Sequence, residues 1–153
     1  MVYRHTQIGW LILFACGLPA AALIAAAMVA QWFDAPIQVA LWVTGVVLLL
    51  CAALFSALCV RVDATSIDIA FGPGFIHKRV RLADVASCRP VRNSPLWGWG
   101  VRWIGRGWLW NVSGLDAVEL CMRDGTLFRL GTDEPRALDA AIWSRLGPGG
   151  APS

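Results

Sequence analysis

No charged side chain occurs between Thr6 and Phe33, and none between Ala35 and Val60. A membrane-spanning helix needs about 20 mostly apolar residues, each rising roughly 1.5 Å. Residues 8–30 and 37–60 both meet that length, so a pair of transmembrane helices is expected. The same absence argues against a channel or proton relay, because such pathways are marked by ionisable groups held within the bilayer. Thr44, Ser56 and Gln38 are the most polar members of either run. The pair reads as an anchor.

Histidine is nearly as scarce as charge. His5 and His77 are the only two in 153 residues, and His77 sits beside Lys78 and Arg79, where a solvated strand residue is expected rather than a general base. The five cysteines form no CxxC and no His–Cys spacing suited to a metal. Cys16, Cys51 and Cys59 fall inside the expected helices, Cys88 and Cys121 in expected strands. Ser113 in "WNVSG" lacks the first glycine of a nucleophile elbow, and "GWGVRW" places Trp103 where a dinucleotide-binding loop needs glycine. No enzyme, cofactor or metal is expected. Nor is nucleic acid, since the net charge is only +3 and no base-stacking motif accompanies it.

Two features bear on how the anchor sits. Arg4 precedes the first apolar run and Arg61, Lys78, Arg79 and Arg81 follow the second, whereas the connecting "QWFDAP" carries no Lys or Arg. The positive-inside bias then places both termini in the cytoplasm. "PAAA" at residues 19–22 resembles a signal-peptide cleavage site, but the apolar run continues to Ala30, longer than a signal sequence's roughly 7–15 residues. Gly17, Ala21 and Ala25, with Ala53 and Ala57, are small residues at four-residue spacing and are expected to pack the two helices together. Pro19 is expected to kink the first helix.

Beyond Val60 the periodicity changes to two. "TSIDIAF" and "FIHKRVRL" flank Gly72-Pro73-Gly74 and read as a hairpin. "DVASCRPV" reads as a third strand. "AVELCMR" and "TLFRLG" flank Asp124-Gly125, whose residues tolerate the positive φ of a tight hairpin turn. "GTDEPRALDAAIWSRLG" reads as a closing helix, with Thr132 as cap, Pro135 in the first turn and Gly147 as stop. Its buried stripe should be Leu138, Ala141, Ile142 and Leu146. One 61–147 domain of about seven strands and a helix is expected, with 148–153 as a disordered tail.

The densest signal is "WGWGVRWIGRGWLWNVSG", residues 97–114. Five tryptophans and five glycines share it with two arginines and no acid. Pairing Trp103 with Trp108, Val101 with Trp110 and Trp99 with Val112 gathers the large side chains on one face. A one-residue slip scatters them. That face is either a wall of the core or a surface for bilayer or partner, since indoles are favoured at both kinds of interface.

The residues "WGWGVRW…GWLWNVSG…AVELCMRDGTLFRLGTDEP" resemble the bacterial pleckstrin-homology-like domains found behind a pair of membrane helices. The resemblance covers residues 61–147 in plan and 97–135 in motif. It implies a barrel of two packed sheets plugged at one end by the helix, and a membrane-tethered binding module without catalysis. It does not name a ligand. Phosphoinositide binding is not carried over, because the first hairpin loop is Gly-Pro-Gly and its basic residues lie in the strand that follows.

Lys78 to Arg106 holds seven basic residues against Asp84 alone. Lys78, Arg79, Arg81, Arg102 and Arg106, with Trp103 and Trp108, are therefore the candidate binding residues. A protein partner at a bacterial inner membrane is the favoured ligand. The alternative is an anionic headgroup read by the basic band. The oligomeric state is left open.

Overall fold

The computed structural model describes residues 3–29, 32 and 34–146. The expected first-helix end at Ala30, the stop at Gly147 and the tail 148–153 lie outside the described residues.

The described residues begin with a strand that the apolar pattern did not disclose. β1 (Tyr3–Ile8) alternates Tyr3, His5 and Gln7 inward with Arg4, Thr6 and Ile8 outward. After Gly9, α1 (Trp10–Val29) and α2 (Ala35–Phe55) form an antiparallel helical pair. Each is long and apolar enough to cross a membrane, and only 11% of either apolar window is buried within the protein. α1 continues through Pro19.

The helix contact differs from the expected small-residue stripe. The buried positions are Ala20 and Ala27 on α1 and Gly45 and Ala52 on α2, a seven-residue spacing that keeps one seam facing the partner helix. A Cβ at Gly45 would stand 2.7 Å from Ile24 Cγ1. Ala21, Ala25 and Ala53 are exposed, and Gly17 meets nothing where its Cβ would be. The Gln38 amide donates to the Ala27 carbonyl near the closed end of the pair.

Residues 57–60, expected to complete the second helix, are strand. β2 (Ala57–Val62) buries Leu58, Val60 and Val62, and Cys59 goes with it. An apolar run alone does not separate a buried strand from a membrane helix. Pairing with β1 on one side and β3 (Ser66–Phe71) on the other decides it. β4 (Ile76–Arg81) completes a four-stranded antiparallel sheet in the order β1-β2-β3-β4. The helical pair is thus an insertion between adjacent strands of one sheet. Both its ends emerge on the same side.

The second sheet holds β5 (Val85–Arg92), β6 (Gly100–Trp103), β7 (Gly107–Asn111), β8 (Asp116–Met122) and β9 (Leu127–Gly131), ordered β5-β8-β9-β7-β6. The described residues thus hold nine strands: the seven expected, plus β1 and β2. β7 and β9 pair in parallel. Their approach at Gly107 is so close that a Cβ there would lie 1.6 Å from the Leu127 carbonyl oxygen, so only glycine fits.

The inner faces of both sheets meet in one core that includes Phe71, Val62, Trp110, Leu120 and Leu130. α3 (Pro135–Leu146) seals it with Leu138 and Ile142, packed against β5, β8 and the 3-10 turn Leu82–Asp84. The Thr132 hydroxyl accepts from the Glu134 amide at 3.1 Å just ahead of that helix. No strand pairs one sheet with the other among the described residues, so the expected barrel is not closed.

Candidate functional site

Strand alternation divides the basic stretch. On β4, Arg79 and Arg81 point away from the core, where Arg79 engages Asp68, and Arg81 Nε donates to Asp84 Oδ2 at 2.8 Å. Lys78 points the other way, with its ammonium 4.5 Å from the centroid of the Phe128 ring. Arg89 lies on β5 of the second sheet, where it pairs with Glu119 of the neighbouring β8 at 2.6 Å. Arg106 is exposed in the turn between β6 and β7. The expected band from Lys78 to Arg106 is therefore not one surface, because adjacent strand residues face opposite sides.

Three of the expected residues do converge. Lys78 and Val80 from β4, Trp103 from β6, Trp108 from β7 and Phe128 from β9 line a cleft of about 310 Å³. It lies where β4, an edge of the first sheet, faces the β6–β7 hairpin at the edge of the second. The two indoles stand edge to face, 5.5 Å apart. Trp103 is 57% exposed and Trp108 42%. Asp124 stands at the rim, where its carboxylate accepts from the Thr126 hydroxyl at 2.7 Å and from the Thr126 amide, which holds its pKa below the ordinary range. Phe128 was not foreseen in this site, because only the non-local parallel pairing of β7 with β9 brings it there.

The hairpin register itself is the expected one, Trp103 opposite Trp108 and Val101 opposite Trp110. The strand starts later, though. Pro95–Trp97 is a 3-10 turn, initiated by the Ser94 side chain and Pro95, and Gly98 and Gly100 have positive φ. Trp97 consequently leaves the wall and lies over Arg129, 4.9 Å from its guanidinium. The wall is graded along the strand. Trp110 is 7% exposed and sits between Phe71 and Phe128 at 5.3 and 5.8 Å between centroids, whereas Trp103, at the far end of the same face, is largely exposed.

Behind the cleft, on the opposite face of the second sheet, Glu119 is buried between two arginines. Arg89 and Arg129 donate to its two oxygens, Arg129 at 2.7 Å, and Arg129 also reaches Asn93 Oδ1 at 3.2 Å. Burial opposes ionisation of Glu119. The hydrogen bonds and charges of the two arginines outweigh it and hold the carboxyl below the usual glutamate range. The network locks β5, β8 and β9 together beneath the hairpin.

Burial, and then Asp139, pushes the Cys88 thiol well above its ordinary value, so it stays protonated and unreactive at neutral pH. No cluster of three or more His, Cys, Asp or Glu suited to a metal occurs among the described residues. Set against protein-family models and curated proteins, the chain matches none. The class the fold defines is a two-sheet domain built around an inserted pair of apolar helices, with an aromatic cleft at its open seam.

Proposed function

We propose that this chain is a non-catalytic binding module fixed at a bacterial inner membrane, with α1 and α2 crossing the bilayer and both termini cytoplasmic. Two sheets closed by a C-terminal helix support the pleckstrin-homology-like reading, with the open seam between β4 and β6 a departure from a closed barrel. The ligand of the cleft is a protein segment that presents an apolar side chain to the paired indoles and an acidic group to Lys78.

The observation that carries this is the pair Trp103 and Trp108, large indoles left substantially exposed beside a cation in a concave site. Exposed aromatics in such a setting are the usual anchors of partner binding. The inserted hairpin adds to their use. Holding the cleft near the membrane surface raises its effective concentration toward membrane complexes.

The test is native mass spectrometry of the full chain extracted in mild detergent, beside the Trp103→Ala and Lys78→Glu variants. A stoichiometric protein that accompanies the wild type and is lost from either variant supports the reading. A bare monomer from the wild type, or a partner retained by both variants, overturns it.

A further inference from the structure

A second concave site lies at the start of β6, where the domain meets the helices. Ile12 and Cys16 from α1, Cys51 and Phe55 from α2, and Trp99 and Arg102 from the start of the hairpin line a groove of about 470 Å³. Cys16 is six residues into α1, roughly 9 Å along its axis. The strand therefore hangs beside the helices over nearly two turns rather than standing clear of them.

The groove's chemistry is divided. Its helix wall is apolar, and Phe55 at its floor leans edge-on against Phe71 of the core, 5.6 Å between centroids. Its outer wall carries one cation. Arg102 Nε donates to the Trp99 carbonyl at 3.4 Å, and no carboxylate pairs with this guanidinium among the described residues. That sets it apart from Arg61, Arg79, Arg81, Arg89 and Arg129, each of which faces an acid.

The surroundings indicate what surface meets this groove. Phe75 is 80% exposed at the tip of the β3–β4 turn. The same turn abuts the end of α2, where a Cβ on Gly72 would fall 2.4 Å from the Ala53 carbonyl oxygen. Exposed aromatics at the junction between apolar helices and a polar domain belong at the headgroup level. An arginine there extends its head toward phosphates while its stem stays on apolar surface.

We infer that this groove holds one phospholipid of net negative headgroup from the leaflet beside the domain, its phosphate on Arg102 and Trp99 and the upper part of one acyl chain along Ile12, Cys16, Cys51 and Phe55. The inference rests on α1 and α2 crossing the membrane, and it is independent of what occupies the Trp103/Trp108 cleft. Charge selects the headgroup and the helix wall accepts the chain. A free phosphate, with no acyl chain, would leave most of the groove unfilled.

The full chain is purified in mild detergent, exchanged with defined phosphatidylglycerol or phosphatidylcholine, and weighed intact. One phosphatidylglycerol is expected to remain bound, in preference to phosphatidylcholine. Arg102→Glu should lower its retention at least about fivefold, since one basic group at an anionic leaflet is worth roughly that factor. Arg106→Glu carries the same charge change outside the groove and should retain the lipid. Cys16→Phe fills the acyl path without altering charge and should lose both lipids, so the inference remains testable if Arg102→Glu folds poorly. Equal retention of the two lipids, or retention unaffected by either Arg102→Glu or Cys16→Phe, overturns it. Carbonate-resistant flotation of the wild type with liposomes is run in parallel. A chain that does not float overturns the membrane reading itself, whereas one that floats without Arg102-dependent lipid overturns only the groove.

Discussion

The Gly9 amide donates to the Ser56 carbonyl at 2.6 Å, so the residue before α1 is bonded directly to the residue after α2. The same corner is tied to the second sheet, where the Ser113 hydroxyl bonds the Ile8 carbonyl at 3.4 Å and the Gln7 amide donates to Ser113 at 3.1 Å. The helical pair therefore enters the domain through two adjacent strands and a fixed turn, with no free linker. Whatever the helices are embedded in sets the orientation of the cleft as well as its distance.

That junction leaves little room. A Cβ on Gly9 would lie 3.0 Å from the Val112 carbonyl oxygen and 3.1 Å from Val112 Cβ. Gly9→Val should destabilise the domain by about 1–3 kcal/mol through overpacking. Its thermal midpoint in detergent is the readout, and an unchanged midpoint would mean that the corner yields.

The graded tryptophan wall has a direct test in stability. Trp110→Ala removes a buried ring from the core and should cost about 3–5 kcal/mol. Trp103→Ala removes a largely exposed ring and should cost less than about 1 kcal/mol. Denaturant midpoints of the two variants measure the difference. Similar losses would place Trp103 in the core and sink the cleft as a binding site.

Glu119 gives the fold a dependence on acid. Its folded pKa is depressed, so the stability it contributes is fully present above the unfolded glutamate value near 4.3 and is lost as pH falls through the lower folded value. Glu119→Gln leaves Arg129 without its carboxylate, which for a buried pair costs about 3 kcal/mol. The gap between wild type and variant in urea should be widest near neutral pH and close on acidification. A gap that stays constant with pH would mean the pair adds no charge-dependent stability.

Cys88 should be silent toward alkylation. Its thiol is buried in the core and held protonated. Iodoacetamide at neutral pH should leave it unmodified in the folded chain and label it fully after unfolding, as read by peptide mass. Rapid labelling of the native protein would show that β5 and α3 open readily there.

Much of this architecture follows from local pattern. Long uncharged runs disclose the two helices because length and apolarity are read directly from the local sequence. Period-two alternation and turn chemistry disclose seven strands, and the large-side-chain pattern of residues 99–112 fixes the register of Trp103 on Trp108. Thr132, Pro135 and the Leu138/Ile142 stripe disclose the last helix. Each of these signals lies within about 20 residues of chain.

Only the tertiary structure decided the rest, mostly through contacts distant in sequence. Residues 57–60 are as apolar as the helix before them, and they become strand because β1, some fifty residues earlier, and β3 pair with them. The small residues that pack α1 on α2 are Ala20, Ala27, Gly45 and Ala52, chosen by the facing helix rather than by spacing along one. The basic stretch separates into Lys78 at an aromatic cleft, Arg79 and Arg81 on acids, and Arg102 beside the helices, because β4 alternates and β6 lies on the opposite edge from β5. Sequence supplied the side chains of both grooves. Which of them share a groove depends on which strands lie beside one another, and that is set by the core they bury together.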